Sequence, residues 1–335
     1  MTKDTYKNKS ILITGGTGSF GSAFIKFLLN KHKSIKKLVV FSRDELKQHD
    51  QKIELKKFNN KLRFFIGDVR DKQRLLEAFR GIDYVIHAAA LKQVESSEYN
   101  PIETIKTNVI GAQNIIESAI INRVKKVVVL STDKAVAPVN LYGASKLCSD
   151  KLFVSANSIK GELDIRFSVV RYGNVMGSRG SVVPVFLEQK QMKQFLITDK
   201  EMTRFNIMME DSISMVDFVI RNSFGGEIVI PKIPSFKVVD LAKAIDPNLK
   251  IKIIGIRPGE KLHEDLITSN ESLNAYDIKK YYVILNHNPK IISFYKNQMK
   301  AKKVPKQFHY NSKTNKKFLK INELKKLLTK LNKKI

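Results

Sequence analysis

The sequence has a single cysteine, few acidic residues and no long apolar run, and each shortage excludes a class of protein. Cys148 is the only cysteine among 335 residues, so the chain cannot form an internal disulfide, as is typical of proteins in a reducing compartment. The chain opens on polar residues and contains no run of about 18 apolar residues, which predicts neither a secretory leader nor a membrane span. We therefore expect a cytoplasmic protein with no membrane partner.

Acidic residues are outnumbered, with 32 Asp and Glu against 60 Lys and Arg, and the formal net charge is +28. The excess of basic over acidic residues is greatest after residue 290. Glu323 is the one acidic residue in the sequence from 291 to 335. A basic surface attracts polyanions, but neither a nucleic-acid-binding motif nor interleaved aromatic residues accompany this charge. We interpret it as a solvated lysine-rich surface and expect no nucleic-acid partner.

Short β-rich runs alternate with amphipathic stretches over the first 175 residues. Strands are predicted at 10–14, 37–41, 63–67, 83–87, 125–130 and 167–171, and helices at 22–30, 73–79, 105–122 and 142–157. Strands separated by helices in this way form βαβ units and a parallel sheet. Because several of the runs are apolar at successive positions, we expect helices to cover both faces of that sheet.

After Gly173, glycine and proline interrupt the chain more often and the predicted elements become shorter. We predict a helix at 235–245, a strand at 250–256, and a terminal helix from the spacing of Leu324, Leu327, Leu328 and Leu331. Residues 176–335 are therefore expected to form a smaller α+β lobe that ends in a lysine-rich helix, with some crossing of the chain between the two parts.

A glycine-rich turn follows the first predicted strand, with Gly15, Gly18 and Gly21 at a spacing of three. Glycine lets the backbone approach a pyrophosphate, which then binds the free N–H groups at the start of the next helix. At the first strand–helix junction of an α/β pattern, this turn predicts a dinucleotide-binding Rossmann domain over residues 1–175, a doubly wound parallel sheet. The other residues expected around the cofactor there are Thr17, Ser19, Phe20, Ser42, Lys47 and Val69.

The ends of the next strands carry further candidate contacts. At the second strand, Arg43 precedes Asp44, and because a guanidinium suits a 2′-phosphate where a carboxylate suits a 2′-hydroxyl, this order favours NADP over NAD. Asp68 ends the third strand, where its carboxylate can accept a hydrogen bond from the adenine amino group. Ala88 ends the fourth strand, and its small side chain lets the backbone pass close to the cofactor.

Tyr142 and Lys146 are four residues apart, on one face of a predicted helix. Beside a lysine and a nicotinamide cation, the pKa of the phenol is expected to fall from its usual value of about 10, so that Tyr142 can take a proton from a substrate hydroxyl. Ser131 and Thr132 supply hydroxyl groups that position the substrate.

Asp133 and Lys134 follow the fifth strand, at the sheet edge where α/β proteins bind ligands. An alcohol dehydrogenase needs no second acid–base pair there, whereas an elimination does. Once C4 of a hexose is a ketone, a base can remove the C5 proton while an acid protonates the departing C6 hydroxyl. The alternative interpretation of this pair is a surface ion pair that caps the strand.

With these motifs, the chain resembles the extended short-chain dehydrogenase/reductase superfamily. Within it, the chain is similar to the soluble UDP-N-acetylglucosamine 4,6-dehydratases that invert C5. These are the first enzymes in the biosynthesis of pseudaminic acid, a sugar used in flagellin glycosylation. The resemblance runs over nearly the full length of the chain. The matching stretches are 14–21, 42–48, 65–71, 87–92, 130–135, 140–146, 171–181, 202–205 and 256–261.

The resemblance implies an NADP-dependent lyase acting on UDP-N-acetylglucosamine. Tyr142 would deprotonate O4 as hydride leaves C4, and Lys134, neutral for part of the time beside other cations, would be the base at C5. Asp133 would protonate the leaving hydroxyl, hydride would return to C6, and C5 would be reprotonated from the opposite face. The residues expected around the nucleotide sugar are Lys92, which would also lie near the cofactor, Asn174, Arg179, Arg204, Arg257 and Glu260.

The same resemblance implies no metal, and a homo-oligomer, at least a dimer and up to a hexamer, in contact through the helices predicted at 105–122 and 142–157. The chain departs from the family pattern at Gln93, Glu95 and Asn206, near the substrate. A sister group of dehydratase/epimerases lacks the tyrosine at position 142, so Tyr142 favours the simple inverting dehydratase. The alternatives are a dehydratase with additional 3,5-epimerase activity, a C4 epimerase of the same sugar, and a non-catalytic NADP-sensing regulatory protein.

Overall fold

The apolar runs of the first half of the chain form the buried centre of a large sheet. In the computed structural model of the protein, which describes residues 4–332, every residue of the first strand is buried. The strands are β1 Ser10–Thr14, β2 Lys37–Ser42, β3 Leu62–Ile66, β4 Tyr84–His87, β5 Lys126–Thr132, β6 Arg166–Tyr172, β7 Asn174–Val175, β8 Gln194–Ile197, β9 Thr203–Ile207, β10 Ile228–Pro231, β11 Ser235–Lys237, β12 Lys250–Ile253, β13 Asp265–Ile267, β14 Ala275–Asp277, β15 Tyr281–Ile284, β16 Lys302–Lys303 and β17 Tyr310–Asn311.

The helices lie between these strands. They are α1 Ser19–Lys31, α2 Glu45–Glu54, α3 Lys72–Ala78, α4 Val94–Tyr99, α5 Pro101–Ile105, α6 Gly111–Ile121, α7 Leu141–Ile159, α8 Val182–Gln191, α9 Met209–Asn222, α10 Val238–Ile245, α11 Pro289–Asn297 and α12 Ile321–Asn332. A π-helical turn, Lys106–Ile110, joins α5 to α6, and short 3-10 turns occur at Lys56–Phe58, Asp133–Ala135 and Glu271–Asn274. No helix within residues 4–332 is both long and apolar enough to cross a bilayer.

The main sheet has ten strands among the described residues, in the order β16-β14-β15-β10-β6-β5-β4-β1-β2-β3. The strands from β10 to β3 in this order run parallel, and β15, β14 and β16 extend the sheet in antiparallel pairing. The chain direction across the sheet reverses between β1 and β4, and ligands of open α/β sheets bind at such a switch point. The predicted doubly wound Rossmann sheet is confirmed.

Helices pack on the sheet in two groups. Helices α3, α6 and α7 contact one another in sequence, and α1 contacts α9; both α7 and α9 also pack against β5 and β6. Because the strand order reverses at the switch point, right-handed crossovers place the helices of the two halves on opposite faces of the sheet. The inner strands therefore lose contact with water on both sides. Their continuous apolar runs follow from that double burial.

The second half of the chain contributes to two cores. Strands β10, β14 and β15 extend the main sheet, so the chain crosses back after residue 175. A separate apolar cluster joins α8, β8, α10 and α12, with Phe186, Phe195, Leu241 and Leu324 buried at its centre. The predicted terminal helix is present, and Leu327, Leu328 and Leu331 pack against that cluster.

Two predicted elements of this half were wrong at an end. The helix predicted at 235–245 begins only at Val238, because Ser235–Lys237 pairs antiparallel with Thr203–Phe205. The strand predicted at 250–256 ends at Ile253, just before Gly255, which has a positive φ of 86° that a regular strand cannot adopt. Both errors arise where tertiary pairing or backbone geometry overrides local pattern.

Replacement of Phe153 tests the core beneath the sheet edge. The ring is fully buried on α7, between His87 and Phe167. We expect Phe153→Ala to lower the free energy of unfolding by about 3–5 kcal/mol, through lost apolar burial and a cavity. Urea unfolding followed by circular dichroism checks this against Ile159→Ala on the same helix, where the side chain is 64% exposed. Equal losses in the two variants would contradict the burial argument.

Candidate active site

One cleft of about 930 Å³ runs along the carboxyl ends of the parallel strands and under the second half of the chain. Every residue that the sequence predicted to act in catalysis or to bind the cofactor or the nucleotide sugar lies along it. Those from the sheet side are Gly15, Thr17, Gly18, Ser19, Phe20, Gly21, Ser42, Arg43, Asp44, Lys47, Asp68, Val69, Ala88, Lys92, Thr132, Asp133, Lys134, Tyr142 and Lys146. Those from the other side are Asn174, Arg179, Arg204, Arg257 and Glu260. The structure therefore brings the whole predicted set together, and the role of each residue remains a prediction.

The glycine-rich turn has the shape that a pyrophosphate needs. Gly15 has a φ of 63°, and Gly18 is the N-cap of α1 and makes no side-chain cap. A Cβ built on Gly21 would lie 2.7 Å from Gly16 Cα, so the turn and the helix approach each other only because Gly21 has no side chain. The first turn of α1 contains no acid, which leaves its N–H groups and positive dipole end open to an anion.

The end of β2 carries the pair expected at the adenosine ribose. Asp44 is the N-cap of α2, where its Oδ1 accepts from Lys47 N at 3.0 Å, and its other oxygen pairs with the Lys47 ammonium. Both carboxylate oxygens are therefore engaged within the helix start. The side chain of Arg43 is 55% exposed and its nearest acid is Asp68, at 3.6 Å.

The neighbouring strand ends carry an ion pair after β3 and a buried neutral histidine on β4. Asp68 pairs with Arg70 at 2.7 Å, next to Val69. His87 Nδ1 lies 2.8 Å from Thr14 Oγ1 below Ala88, and burial lowers the pKa of His87 to about 3. His87 is thus a neutral core histidine beneath the cleft.

Tyr142 lies in the first turn of α7, which is capped by Asn140 through a 2.7 Å bond from Gly143 N. The pKa of Tyr142 was expected to fall below its usual value. It rises instead, so that expectation was wrong for the effect of the protein's side chains alone. Burial raises the pKa of Tyr142 to about 12, and the charge of Lys134 and a hydrogen bond with Thr132 oppose the rise only in part. The buried phenol stays protonated because the side chain has lost its hydration.

Lys146 is buried one helical turn after Tyr142, and burial lowers its pKa. Asp150, another turn along α7, opposes that shift. Asp150 was not predicted from the sequence; its carboxylate accepts from Ser131 Oγ at 2.8 Å and lies 3.6 Å from Arg171. The i, i+4, i+8 spacing of Tyr142, Lys146 and Asp150 was the signal that could have found it.

Asp133 is fully buried and the side chain of Lys134 is 23% exposed at the cleft, so the alternative of a surface ion pair is wrong. Lys134 Nζ is 3.0 Å from Asp133 Oδ1 and 3.2 Å from Glu264 Oε1. Burial by itself lowers the pKa of Lys134, but the two carboxylates outweigh burial and raise it. Lys134 was expected beside cations that favour its neutral form, whereas its nearest charged partners are anions. Asp133 differs, because burial raises its pKa more than Lys134 lowers it.

The residues expected at the nucleotide sugar approach from several elements. Arg204 donates to the carbonyl of Thr203 at 2.8 Å and lies 3.7 Å from Glu264. The buried Oδ1 of Asn174 has no hydrogen-bond partner among the described residues, which suits an acceptor that awaits a ligand. Arg257 and Glu260 line the same wall of the cleft. The main-chain N–H of Arg257 donates to Glu260 Oε2 at 3.5 Å.

Arg179 lies nearer the cofactor end than expected. Its guanidinium donates to the carbonyl of Thr17 at 2.7 Å, and its own carbonyl accepts from Lys92 Nζ at 2.7 Å. The loop that carries it therefore bridges the glycine-rich turn and the sugar end of the cleft. The guanidinium of Arg179 is therefore held at the glycine-rich turn.

Comparison with known proteins places this geometry in a family. Residues 11–286 match the family model described as "Polysaccharide biosynthesis protein". The chain belongs to this family. A UDP-N-acetylglucosamine 4,6-dehydratase (inverting) of Campylobacter jejuni subsp. jejuni serotype O:23/36 is 56% identical over 281 residues, which cover 83% of each chain. A UDP-glucose 4-epimerase of Rickettsia bellii (strain RML369-C) is 46% identical over 290 residues, again 83% of each chain.

A solved structure supports the fold over the whole length of this polysaccharide biosynthesis protein. The X-ray structure of Pen from Bacillus thuringiensis superposes with a TM-score of 0.89 at 37% identity, and the match covers 98% of each chain. The second half of the chain is therefore part of the shared architecture.

Replacement of Gly21 tests the cradle for a dinucleotide. We expect Gly21→Ala to weaken dinucleotide binding at least about 10-fold, because the added Cβ forces the turn away from the helix start on which a phosphate would bind. Titration with NADPH and with NADH, followed by nucleotide fluorescence, measures the effect. Gly161→Asn is the control, since an added Cβ there meets no atom within 4 Å and Asn tolerates the φ of 61°. Unchanged affinity in Gly21→Ala would show that the turn does not bind the nucleotide.

Proposed function

We propose that this protein is an NADP-dependent UDP-N-acetylglucosamine 4,6-dehydratase that inverts C5. The observation that carries the proposal is the Asp133–Lys134 pair beside Tyr142, in which Asp133 is fully buried. It is a second acid–base pair that a simple oxidoreductase does not need. The 56% identical relative that is named for this reaction supports it. The product would be a UDP-linked 4-keto-6-deoxy sugar, UDP-2-acetamido-2,6-dideoxy-β-L-arabino-hex-4-ulose.

The residues of the cleft fit a dinucleotide cofactor. The glycine-rich turn would hold its pyrophosphate, Arg43 its 2′-phosphate, and Lys146 the ribose next to the nicotinamide. The chemistry that such a cofactor supplies is reversible hydride transfer, first from C4 of the sugar and last to C6. Asp44 supports NADP rather than NAD, because its carboxylate already caps α2 and pairs with Lys47.

Tyr142 would act first, by taking the proton of the C4 hydroxyl. Burial holds its phenol protonated at neutral pH, so the phenolate needs additional positive charge. Lys134 supplies part of that charge, and a cationic nicotinamide would supply more. Thr132, which hydrogen-bonds with Tyr142, would hold the phenol oxygen in line with the sugar hydroxyl.

Asp133 and Lys134 would then carry out the elimination. Lys134 Nζ takes the proton from C5, the C5–H electron pair forms the C5–C6 double bond, and the C6–O bond breaks as Asp133 gives its proton to the departing hydroxyl. The raised pKa of Asp133 suits an acid that enters this step protonated. Movement of the proton of Lys134 to Asp133 across their 3.0 Å contact makes both groups ready at once, without a net change of charge.

A C4 epimerase is the second candidate, because relatives at 46% identity are named UDP-glucose 4-epimerase. Epimerisation also begins with oxidation at C4, so Tyr142 and Lys146 serve both reactions. It does not break the C6–O bond and gives no task to the acid Asp133. The two proposals therefore differ in their products.

Incubation with UDP-N-acetylglucosamine in D₂O distinguishes the two candidates. We expect a product whose C6 is a methyl group and whose C5 has the inverted, L configuration. C5 should carry deuterium, because C5 is reprotonated from the solvent. Proton NMR of the sugar follows both changes. A product that differs only in configuration at C4 would establish the epimerase instead.

The variant Lys134→Ala belongs to the same experiment. The rates of elimination and of C5 deuteration should fall by about 100-fold or more, as expected for removal of a general base. Dinucleotide binding should stay at the wild-type level. The matched control is Lys237→Ala, an exposed lysine paired with Glu201 outside the cleft. Loss of dinucleotide binding in Lys134→Ala would assign this lysine a structural role.

Replacement of Arg43 tests the preference for NADP. We expect Arg43→Ala to weaken NADPH binding roughly 10- to 100-fold, the value of a charge-assisted contact, and to leave NADH binding nearly unchanged. Fluorescence titration measures both. Arg63→Ala is the control, because the Arg63 guanidinium donates to the main-chain carbonyls of Asn60 and Leu62, just before β3 and at its start. An equal loss of affinity for NADPH and NADH would show that Arg43 does not select between them.

We also propose a homo-oligomer that forms through the helices after β4. Apolar side chains are exposed along them, with Tyr99 on α4, Ile102 on α5 and Ile121 on α6 all more than half exposed. Exposed apolar residues that share one region are typical of a contact surface between subunits.

A further inference from the structure

Glu264 occupies a fixed, buried position just before β13. Its main-chain N–H donates to Ser312 Oγ at 2.9 Å, and its carbonyl accepts from Ser312 N at 2.8 Å. The side chain is 2% exposed. Both main-chain polar groups of Glu264 are therefore anchored, which fixes the position of its carboxylate beside Lys134.

The carboxylate of Glu264 contacts two cations from other elements. Its Oε1 is 3.2 Å from Lys134 Nζ and 3.7 Å from Arg204 Nε. Its Oε2 is buried and has no hydrogen-bond partner among the described residues. Because a buried carboxylate is costly unless it is paired, this arrangement needs a reason beyond packing.

The buried charges balance as a group of four. Asp133 and Glu264 carry negative charge, and Lys134 and Arg204 carry positive charge. When the proton of Lys134 moves to Asp133, that pair becomes neutral, and Glu264 with Arg204 still forms a balanced pair. The cluster can thus exchange a proton internally without leaving an uncompensated buried charge.

We propose that Glu264 is the positioning residue of the elimination, which anchors the Lys134 ammonium from the side opposite Asp133 and sets the pH range in which the Asp133–Lys134 pair works. This proposal rests on the proposed function. Two anchors hold Nζ at one point of the cleft, whereas a lysine with one partner would rotate about its flexible stem.

The charged neighbours on every side agree with this role. Burial by itself raises the pKa of Glu264, but the charges of Lys134, Arg204 and Lys261 lower it, so Glu264 stays anionic while Asp133 takes up the proton. The titratable and charged groups that face Lys134 are Asp133, Glu264, Arg204, Tyr142 and Lys92. Among the acids of this set, Glu264 is the one that keeps its charge.

The decisive measurement is the pH profile of elimination in Glu264→Gln. The single-turnover rate of the wild type should follow a bell, in which the pair loses activity when both groups are protonated and when both are deprotonated. Removal of the nearby anion disfavours bound protons, so both limbs should move to lower pH by about 1 to 3 units. Formation of the C6 methyl product and C5 deuteration measure this rate.

Glu264→Asp and Glu201→Gln complete the comparison. The aspartate keeps the charge but withdraws it from Nζ, so its bell should stay nearer the wild-type position while the rate falls about 10-fold or more. Glu201→Gln makes the same chemical change at an exposed ion pair and should change neither property. The initial oxidation at C4, followed by absorbance of the reduced nucleotide, should keep its wild-type rate in Glu201→Gln, and in the two Glu264 variants it should change less than the elimination does.

Two outcomes would overturn the role of Glu264: an unshifted bell in Glu264→Gln, or a wild-type rate in Glu264→Asp. The aspartate result decides alone if the glutamine variant does not fold. Absence of the C6 methyl product in the wild type is a different result, because it removes the proposed function itself.

Discussion

A lysine held between two buried carboxylates is the interaction around which this site is organised. Lys134 lies 3.0 Å from Asp133 and 3.2 Å from Glu264, and the guanidinium of Arg204 closes the group. Buried charges of this kind are stable only when each is paired, so every element that meets here must keep its register. The end of β5, strand β9 and the segment before β13 are joined at this point, and the two halves of the chain meet across it.

Helix α7 links that charge group to the cofactor end of the cleft. Tyr142, Lys146 and Asp150 follow one another along its inner face. Asp150 in turn forms an ion pair with Arg171 on β6. Gly143 makes the arrangement possible, because a Cβ there would lie 3.1 Å from the carbonyl carbon of Lys134 and 3.0 Å from Pro138. The helix therefore packs directly on the turn that carries Asp133 and Lys134, and the phenol and the acid–base pair reach the same part of the cleft.

The glycine-rich turn, the doubly wound parallel sheet and the set of cleft residues were predictable, because local spacing and the parallel topology bring strand ends to one edge. The charge states were not predictable in the same way. Lys134 was expected beside cations, yet Glu264, 130 positions further along the sequence, is its second anionic partner. Tyr142 was expected to have a lowered pKa, yet its burial raises it. Both depend on how completely a side chain is removed from water, which no local pattern records.

The sequence by itself determined the Rossmann sheet, the dinucleotide turn and the chemistry of the residues at each strand end, since these follow from apolar periodicity, glycine spacing and side-chain type. Tertiary structure alone decided which charges face each other. It joined Glu264 and Arg204 to Lys134, turned residues 235–237 into a strand by pairing them with β9, and moved Arg179 against Thr17. The physical reason is that pairing and desolvation act between segments far apart in the chain, so they exist only once the fold has brought those segments together.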